Sequence, residues 1–267
     1  MPLTLAILGA KVAAYRRDLS DTVEEVSAAT GVAIDRIAAI ESGRQEPTGD
    51  EILILSDYFR CDYKVFLTDD ALPQVPAVHT LYRAKSGEFD KADRRALRDF
   101  MYLCETEHEL ERELGRLSEP FESVQVIKSR GSVDEAVSAA RSRLGYGEHS
   151  LPLDTFGACR ALGARVFRRA LGDSNISGLF VVHPVAGKCI LVNSSEDMYR
   201  QRFSAAHELA HAVFDASEVA RVSLRSEKRD PVEQRANAFA SKFLMPPHPS
   251  SNQTVNVDTG RRGRSGV

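Results

Sequence analysis

Tryptophan is absent from the 267 residues, and aromatic residues as a whole reach only 7%. The four cysteines, Cys61, Cys104, Cys159 and Cys189, are scattered, with no CxxC pair among them. That spacing argues against a disulfide framework and against a thiolate zinc site, and it fits a reducing cytosol. Long apolar runs are missing as well. Stretches such as Ile52–Leu55 and Leu179–Val182 fall far short of the roughly 20 residues a bilayer-spanning helix needs. The start, Met1-Pro2-Leu3-Thr4-Leu5, has no positive region before its apolar residues, so no secretory signal is expected. A cytoplasmic protein with no membrane partner is the expectation.

A strong net charge is also lacking, since 35 Lys/Arg nearly balance 38 Asp/Glu, for −3. The balance hides an uneven distribution. Residues 1–70 carry 7 basic and 13 acidic side chains, whereas residues 121–246 carry 17 and 14. With 43% hydrophobic and 27% charged residues the chain is globular in composition, long enough for one large domain or two small ones.

The pattern that is present divides the chain. Residues 1–70 read as short helices broken by Gly31, Gly43 and Pro47, with apolar faces such as Leu8, Val12 and Tyr15, then Ile34, Ile37 and Ile40. Residues 71–120 read as a Pro-containing linker and one long polar helix. On that helix Phe100, Leu103, Glu107, Leu110, Leu114 and Leu117 recur at spacings of 3 and 4. The recurrence suits either an amphipathic helix packed on its own chain or a homodimer through residues 90–118. Residues 121–246 read as an α+β unit. Three β-rich runs, 164–167, 178–182 and 189–192, lie between helical patterns, and the last two form a hairpin through Ala186-Gly187. Residues 247–267 are Pro, Ser, Asn, Thr, Gly and Arg with little apolar content, and read as a disordered tail.

The chemistry sits in His207-Glu208-Leu209-Ala210-His211, an HExxH motif. On a helix, positions i and i+4 share a face, so the two imidazoles can grip one metal ion. The Glu beside the first His can take the proton of an attacking water. A shuffled chain of this composition contains the motif only about one time in seventy, so chance is a weak competitor. A catalytic zinc wants a third protein ligand. Glu233, on a helix whose Ala236, Phe239, Ala240 and Phe243 can pack inward, is one choice; Glu218, Glu227 and Asp230 are its rivals. Tyr199, Arg200 and Arg202 are candidates for stabilising an oxyanion. His79, His183 and His248 read as loop or surface residues, and Cys189 as a small core residue.

Two blocks carry a resemblance. Arg200-Gln201-Arg202-Phe203-Ser204-Ala205-Ala206-His207-Glu208-Leu209-Ala210-His211 is followed, in order, by Glu233 through Leu244-Met245-Pro246, with Gly178-Leu179 and Val192-Asn193 upstream. Together they resemble the ImmA/IrrE family of metallopeptidases over residues 121–246. The resemblance implies a zincin-like α+β domain. It also implies Zn2+ held by His207, His211 and Glu233, with Glu208 as the catalytic base. Members of that family cleave helix-turn-helix repressors in response to DNA damage or mobile-element cues, so a repressor-type protein is the implied substrate. The first 70 residues resemble the XRE-type helix-turn-helix, through Leu8-Gly9-Ala10-Lys11-Val12, Gly31-Val32, Ile37, Ile40-Glu41-Ser42-Gly43-Arg44, Pro47 and Leu53. Here the chain departs from the pattern. Its recognition helix offers Ala33, Asp35, Arg36, Ala38 and Ala39, and the module is acidic, without the charge that dominates DNA affinity. Two readings stay open. The module binds DNA through basic residues including Lys11, Arg16, Arg17, Arg36 and Arg44, with Arg36 and Arg44 as the chosen contacts. Or it has become a protein-docking or dimerisation unit. The whole chain is accordingly a zinc endopeptidase acting in transcriptional regulation, or a DNA-binding regulator whose peptidase fold is a sensor.

Overall fold

Capping chemistry sets the helix starts of the N-terminal module. Thr22 and Thr48 close capping boxes with Glu25 and Glu51 at the starts of α2 (Val23–Thr30) and α4 (Gly49–Phe59), satisfying orphan N–H groups at each. These helices pack with α1 (Leu5–Asp18), α3 (Ile34–Glu41) and α5 (Lys64–Leu67) around Leu8, Val12, Val26, Ile37, Ile40, Leu55 and Phe59. α1 crosses the end of α3 so closely that a Cβ at Gly9 would sit 2.3 Å from the Ile40 carbonyl oxygen. The computed structural model describes residues 4–68, 89–116, 132–147, 149–172, 175–215, 220–224 and 230–245. The linker before residue 89, the tail, His79, His248, Glu218 and Glu227 lie outside the described residues.

The long helix α6 spans Lys91–Glu113 and serves two partners. Its Ala96, Leu97, Phe100, Met101 and Cys104 pack on one face of a β-sheet. Its N-terminal half meets the module. Lys91 binds Glu25, Arg95 binds Asp21, Arg94 donates to the Asp18 carbonyl, and the Arg98 guanidinium stacks 4.6 Å from the Tyr15 ring centroid. The acidic excess of residues 1–70 thus faces a basic stretch of α6. The leucine seam is divided accordingly. Phe100 is buried under the sheet, Leu110 and Leu114 are exposed, and Leu117 lies outside the described residues. The connector reading of this segment therefore leaves out its packing role: α6 is one layer of the C-terminal unit.

The sheet has the strand order β1-β3-β2-β4. β1 (Arg165–Arg169) runs parallel to β3 (Gly187–Asn193), and β2 (Ile176–His183) is antiparallel to both β3 and β4 (Ala220–Leu224). The expected hairpin joins β2 and β3. β4, a short Ala-Arg-Val-Ser-Leu run, is a fourth strand beyond the three β-rich runs expected from the sequence. Alternation divides the faces. Leu179, Val181, Cys189, Leu191 and Val222 face α6, whereas Val166, Phe180, Ile190 and Val192 face the opposite layer. That layer holds α7 (Val133–Arg143), α8 (Thr155–Ala161), α9 (Met198–Phe214) and α10 (Pro231–Leu244). With cover on both sides, β2 and β3 are nearly continuously apolar. The architecture is α+β: a helical module, then a mixed four-stranded sheet between helices. All four cysteines are buried and free, Cys189 within the core of β3. His183 departs from the surface reading. It is buried at the end of β2, where Nε2 is 3.0 Å from Glu105 Oε1 and Nδ1 accepts from the Val185 and Ala186 N–H groups. Among the described residues no helix is long and apolar enough to cross a membrane.

Candidate metal centre

α9 is anchored at its start and buried along its length. Asp197 caps it by accepting from the Tyr199 and Arg200 N–H groups. Gln201 donates to the Ser194 and Glu196 carbonyls, and Arg202 to the Pro152 carbonyl and the Thr155 hydroxyl. The anchoring fixes how the helix is rotated, and rotation decides which side chains meet. His207 and His211, one turn apart, turn their Nε2 atoms toward each other at 3.1 Å. Glu233 arrives from the first turn of α10, which Asp230 caps and Pro231 opens. Its Oε2 lies 3.0 Å from His207 Nε2, and its Oε1 lies 3.5 Å from His211 Nε2. All three residues are buried, and a donor atom from each lies within 4.8 Å of the others.

These separations fit a metal. An ion with bonds of 2.0–2.1 Å to nitrogen and oxygen places tetrahedral neighbours about 3.3–3.4 Å apart. The two imidazoles are also oriented as ligands. His207 Nδ1 lies 3.0 Å from Asn237 Oδ1, and His211 Nδ1 lies 2.9 Å from Asp215 Oδ2. In the neutral rings that bind a metal, donation through Nδ1 leaves both Nε2 lone pairs directed inward, as outer partners of metal-binding histidines do. Arg235 in turn holds Asp215. Burial lowers the His211 imidazole pKa, but Asp215 and Glu233 outweigh that effect and bring it to about 9. Burial raises the Glu233 carboxyl, but His207 and His211 hold it well below the ordinary carboxylate range.

Glu208 is fully buried, and neither of its carboxylate oxygens has a hydrogen-bond partner among the described residues. Burial raises its pKa, and the neighbouring His207, His211 and Ser223 offset that rise only in part. An orphaned buried carboxyl is expensive, and in a native site it calls for a chemical role. The sheet makes room for it. A Cβ at Gly178 on β2 would lie 2.9 Å from Glu208 Oε1 and 3.0 Å from the Leu191 carbonyl oxygen. Ser223 on β4 pairs in register with Gly178, and two residues earlier Arg221 places Nη1 3.1 Å from Glu233 Oε1.

Sequence reading named His207, Glu208, His211 and Glu233, and the fold brings all four together. It missed Asn237, Asp215, Arg221 and Ser223. Helical spacing carried a signal for the first two, since Asn237 is i+4 from Glu233 and Asp215 is i+4 from His211. The strand pair carried none. Asp230 caps α10 and meets Arg221 at 3.5 Å. The oxyanion candidates do not converge on the site. Tyr199 is 82% exposed and eight residues, about 12 Å of helix, before His207. Arg200 points into solvent, and Arg202 is committed to Pro152 and Thr155.

Two family models match the chain, an IrrE N-terminal-like domain (Peptidase_M78) over residues 159–253 and a helix-turn-helix domain (HTH_3) over residues 12–66. The chain is a fusion of these two domains. No curated protein matches it. The IrrE-like match starts just ahead of β1 and so leaves out α6, although α6 covers that domain's sheet.

The basic residues of the helix-turn-helix domain are largely engaged within the fold. The Arg36 guanidinium forms a forked pair with Glu51 at 2.7 and 2.8 Å, and it also donates to Gln45 and the Glu46 carbonyl. Arg16 forms a similar fork with Glu41. Lys11 is buried and donates to the Val65 and Thr68 carbonyls at the end of α5. Arg17 and Arg44 are exposed; Arg44 donates to Ser42 and Arg17 to the Ala13 carbonyl. Ala33, Ile34 and Asp35 form the exposed start of α3.

Proposed function

We propose that the protein is a zinc-dependent endopeptidase acting in transcriptional regulation, and that its substrate is a repressor-type protein cut in an extended, flexible segment. The observation that carries the reading is the convergence of His207, His211 and Glu233 beside the orphaned carboxyl of Glu208. His207 and His211 hold the ion through Nε2 and Glu233 through a carboxylate oxygen, with Asn237 and Asp215 fixing the two rings. When bound, the metal supplies Lewis acidity toward a water and the scissile carbonyl. Glu208 takes a proton from the attacking water and later passes it to the leaving amine. The enclosure of Glu208 by Gly178, Ser223 and α9 keeps bulk water from solvating it. The outer members of the described sheet are β1 and β4, not the β2–β3 hairpin, and an outer strand suits an extended peptide. The cytoplasm is the compartment such a regulator needs. A homodimer through residues 90–118 would have to use the exposed Leu110 and Leu114, since Phe100 is already buried.

The test is cleavage of candidate repressors by wild type beside Glu208→Ala. Wild type should cut and the variant should not; equal cleavage by both sinks the mechanism. A second reading, a DNA-binding regulator with a sensory IrrE-like domain, has the helix-turn-helix match in its favour. A gel shift on the chain's own promoter across a salt series separates the two. Specific retention with no detectable proteolysis supports the sensor.

A further inference from the structure

Edge strand β4 sends two polar side chains toward the metal centre. Arg221 and Ser223 are two residues apart and so share a face, while Val222 between them packs under α6. The Arg221 guanidinium gives the two oxygens of Glu233 different neighbours. Oε2 lies 3.0 Å from His207 Nε2, whereas Oε1 lies 3.1 Å from Arg221 Nη1, nearer than the 3.5 Å that separates it from His211 Nε2. The same Nη1 is 3.5 Å from Asp230, the residue that caps α10. Arg221 therefore ties the strand to the helical turn that presents Glu233.

We propose that Arg221 is a positioning residue that holds Oε1 of Glu233 off the ion and so keeps Glu233 a one-oxygen ligand. The inference rests on the metal reading given above. A carboxylate can meet a metal through one oxygen or through both. A catalytic site works with three protein ligands and one open position for water, and a second oxygen from Glu233 would add a fifth ligand and crowd that position. A hydrogen bond from a cation to Oε1 opposes the swing, because charge-assisted bonds of this kind are among the stronger ones a carboxylate makes. Lys at the same place keeps the charge without the planar fork, so it should preserve the one-oxygen state.

The experiment is the visible absorption of the full-length chain loaded with Co2+, which reports coordination number independently of any peptidase activity. Intensity per bound cobalt falls as coordination rises from four to five. Arg221→Ala should still bind one ion per chain, with its absorption reduced about twofold or more, while Arg221→Lys keeps the wild-type spectrum. A wild-type spectrum in Arg221→Ala overturns the proposal. So does an equal loss of intensity in Arg221→Lys. Should Arg221→Ala fail to fold by circular dichroism, Arg221→Gln removes the charge with less change in volume and is judged by the same outcomes. A wild-type chain that binds no cobalt, or a His207→Ala variant that binds it equally well, overturns the metal reading itself, and the proposal with it.

Discussion

The two domains treat their charged side chains in opposite ways. In the helix-turn-helix domain charges are paired off. Arg36 is forked to Glu51, Arg16 to Glu41, and Asp21, with its side chain 3% exposed, is shared by Arg95 and Tyr58. In the IrrE-like domain three ionisable groups are drawn into one buried cluster, and a fourth, Glu208, has no hydrogen-bond partner among the described residues. A paired charge serves the fold it sits in. A buried charge with unmet demand costs stability and makes sense only with something still to bind or to move. Two domain matches in one chain therefore lead to different functional conclusions.

The largest expected effect strikes the orphan. Glu208→Gln should lower cleavage by at least about 10²-fold, the scale of general acid–base catalysis, while the melting temperature holds or rises because a desolvated carboxyl is gone. A melting temperature several degrees lower would show that Glu208 supports the fold and would undo the contrast. Next comes the cradle. Gly178→Ala puts a methyl group 2.9 Å from Glu208 Oε1 and 3.0 Å from the Leu191 backbone, and should cost about 1–3 kcal/mol as overpacking does. Denaturant unfolding with an unchanged midpoint would show that the sheet gives way there.

A pH series on chelator-treated protein probes the cluster more gently. His211 is raised to about 9 from its ordinary 6.5 by Asp215 and Glu233 acting against burial. A raised pKa contributes stability that is full below 6.5 and is lost as pH climbs through about 9. Asp215→Asn should flatten that loss in thermal melts across the interval, and an unaltered slope counts against the Asp215–His211 contact. The smallest effect belongs to the paired domain. Arg36 holds the Glu51 carboxyl down to about 2, against an ordinary 4.5. A depressed pKa contributes stability present above 4.5 and lost as pH falls toward 2. Arg36→Ala should therefore move acid unfolding of the helix-turn-helix domain to higher pH by a modest amount, since the pair is partly solvated. If Arg36→Ala instead abolished retention on DNA without shifting the acid midpoint, Arg36 would be a contact residue and not a structural one.

Legibility followed the range of the contacts. HExxH is a one-helix statement, so its spacing alone places His207 and His211 on one face. Glu233 needed the helix pattern of Ala236, Phe239, Ala240 and Phe243, plus a resemblance, because its distance from His207 is set by how α9 and α10 pack. The apolar periodicity of the first 68 residues gave the helices without saying where Arg36 would point. α6 stayed open between two readings for a physical reason. Its 3-and-4 spacing is the same whether the stripe meets a second copy or a sheet, and the sheet claims Phe100 through strands far off in sequence. Arg221 and Ser223 were illegible because strand partners depend on register, and β4 finds its register on β2 only after the chain has passed through α9.

The central claim is a metal held by His207, His211 and Glu233. Elemental analysis of the purified full-length chain tests it most directly. One zinc per chain in wild type and none in His207→Ala is the expected result; wild type without metal after incubation with zinc, or His207→Ala with a full equivalent, contradicts it.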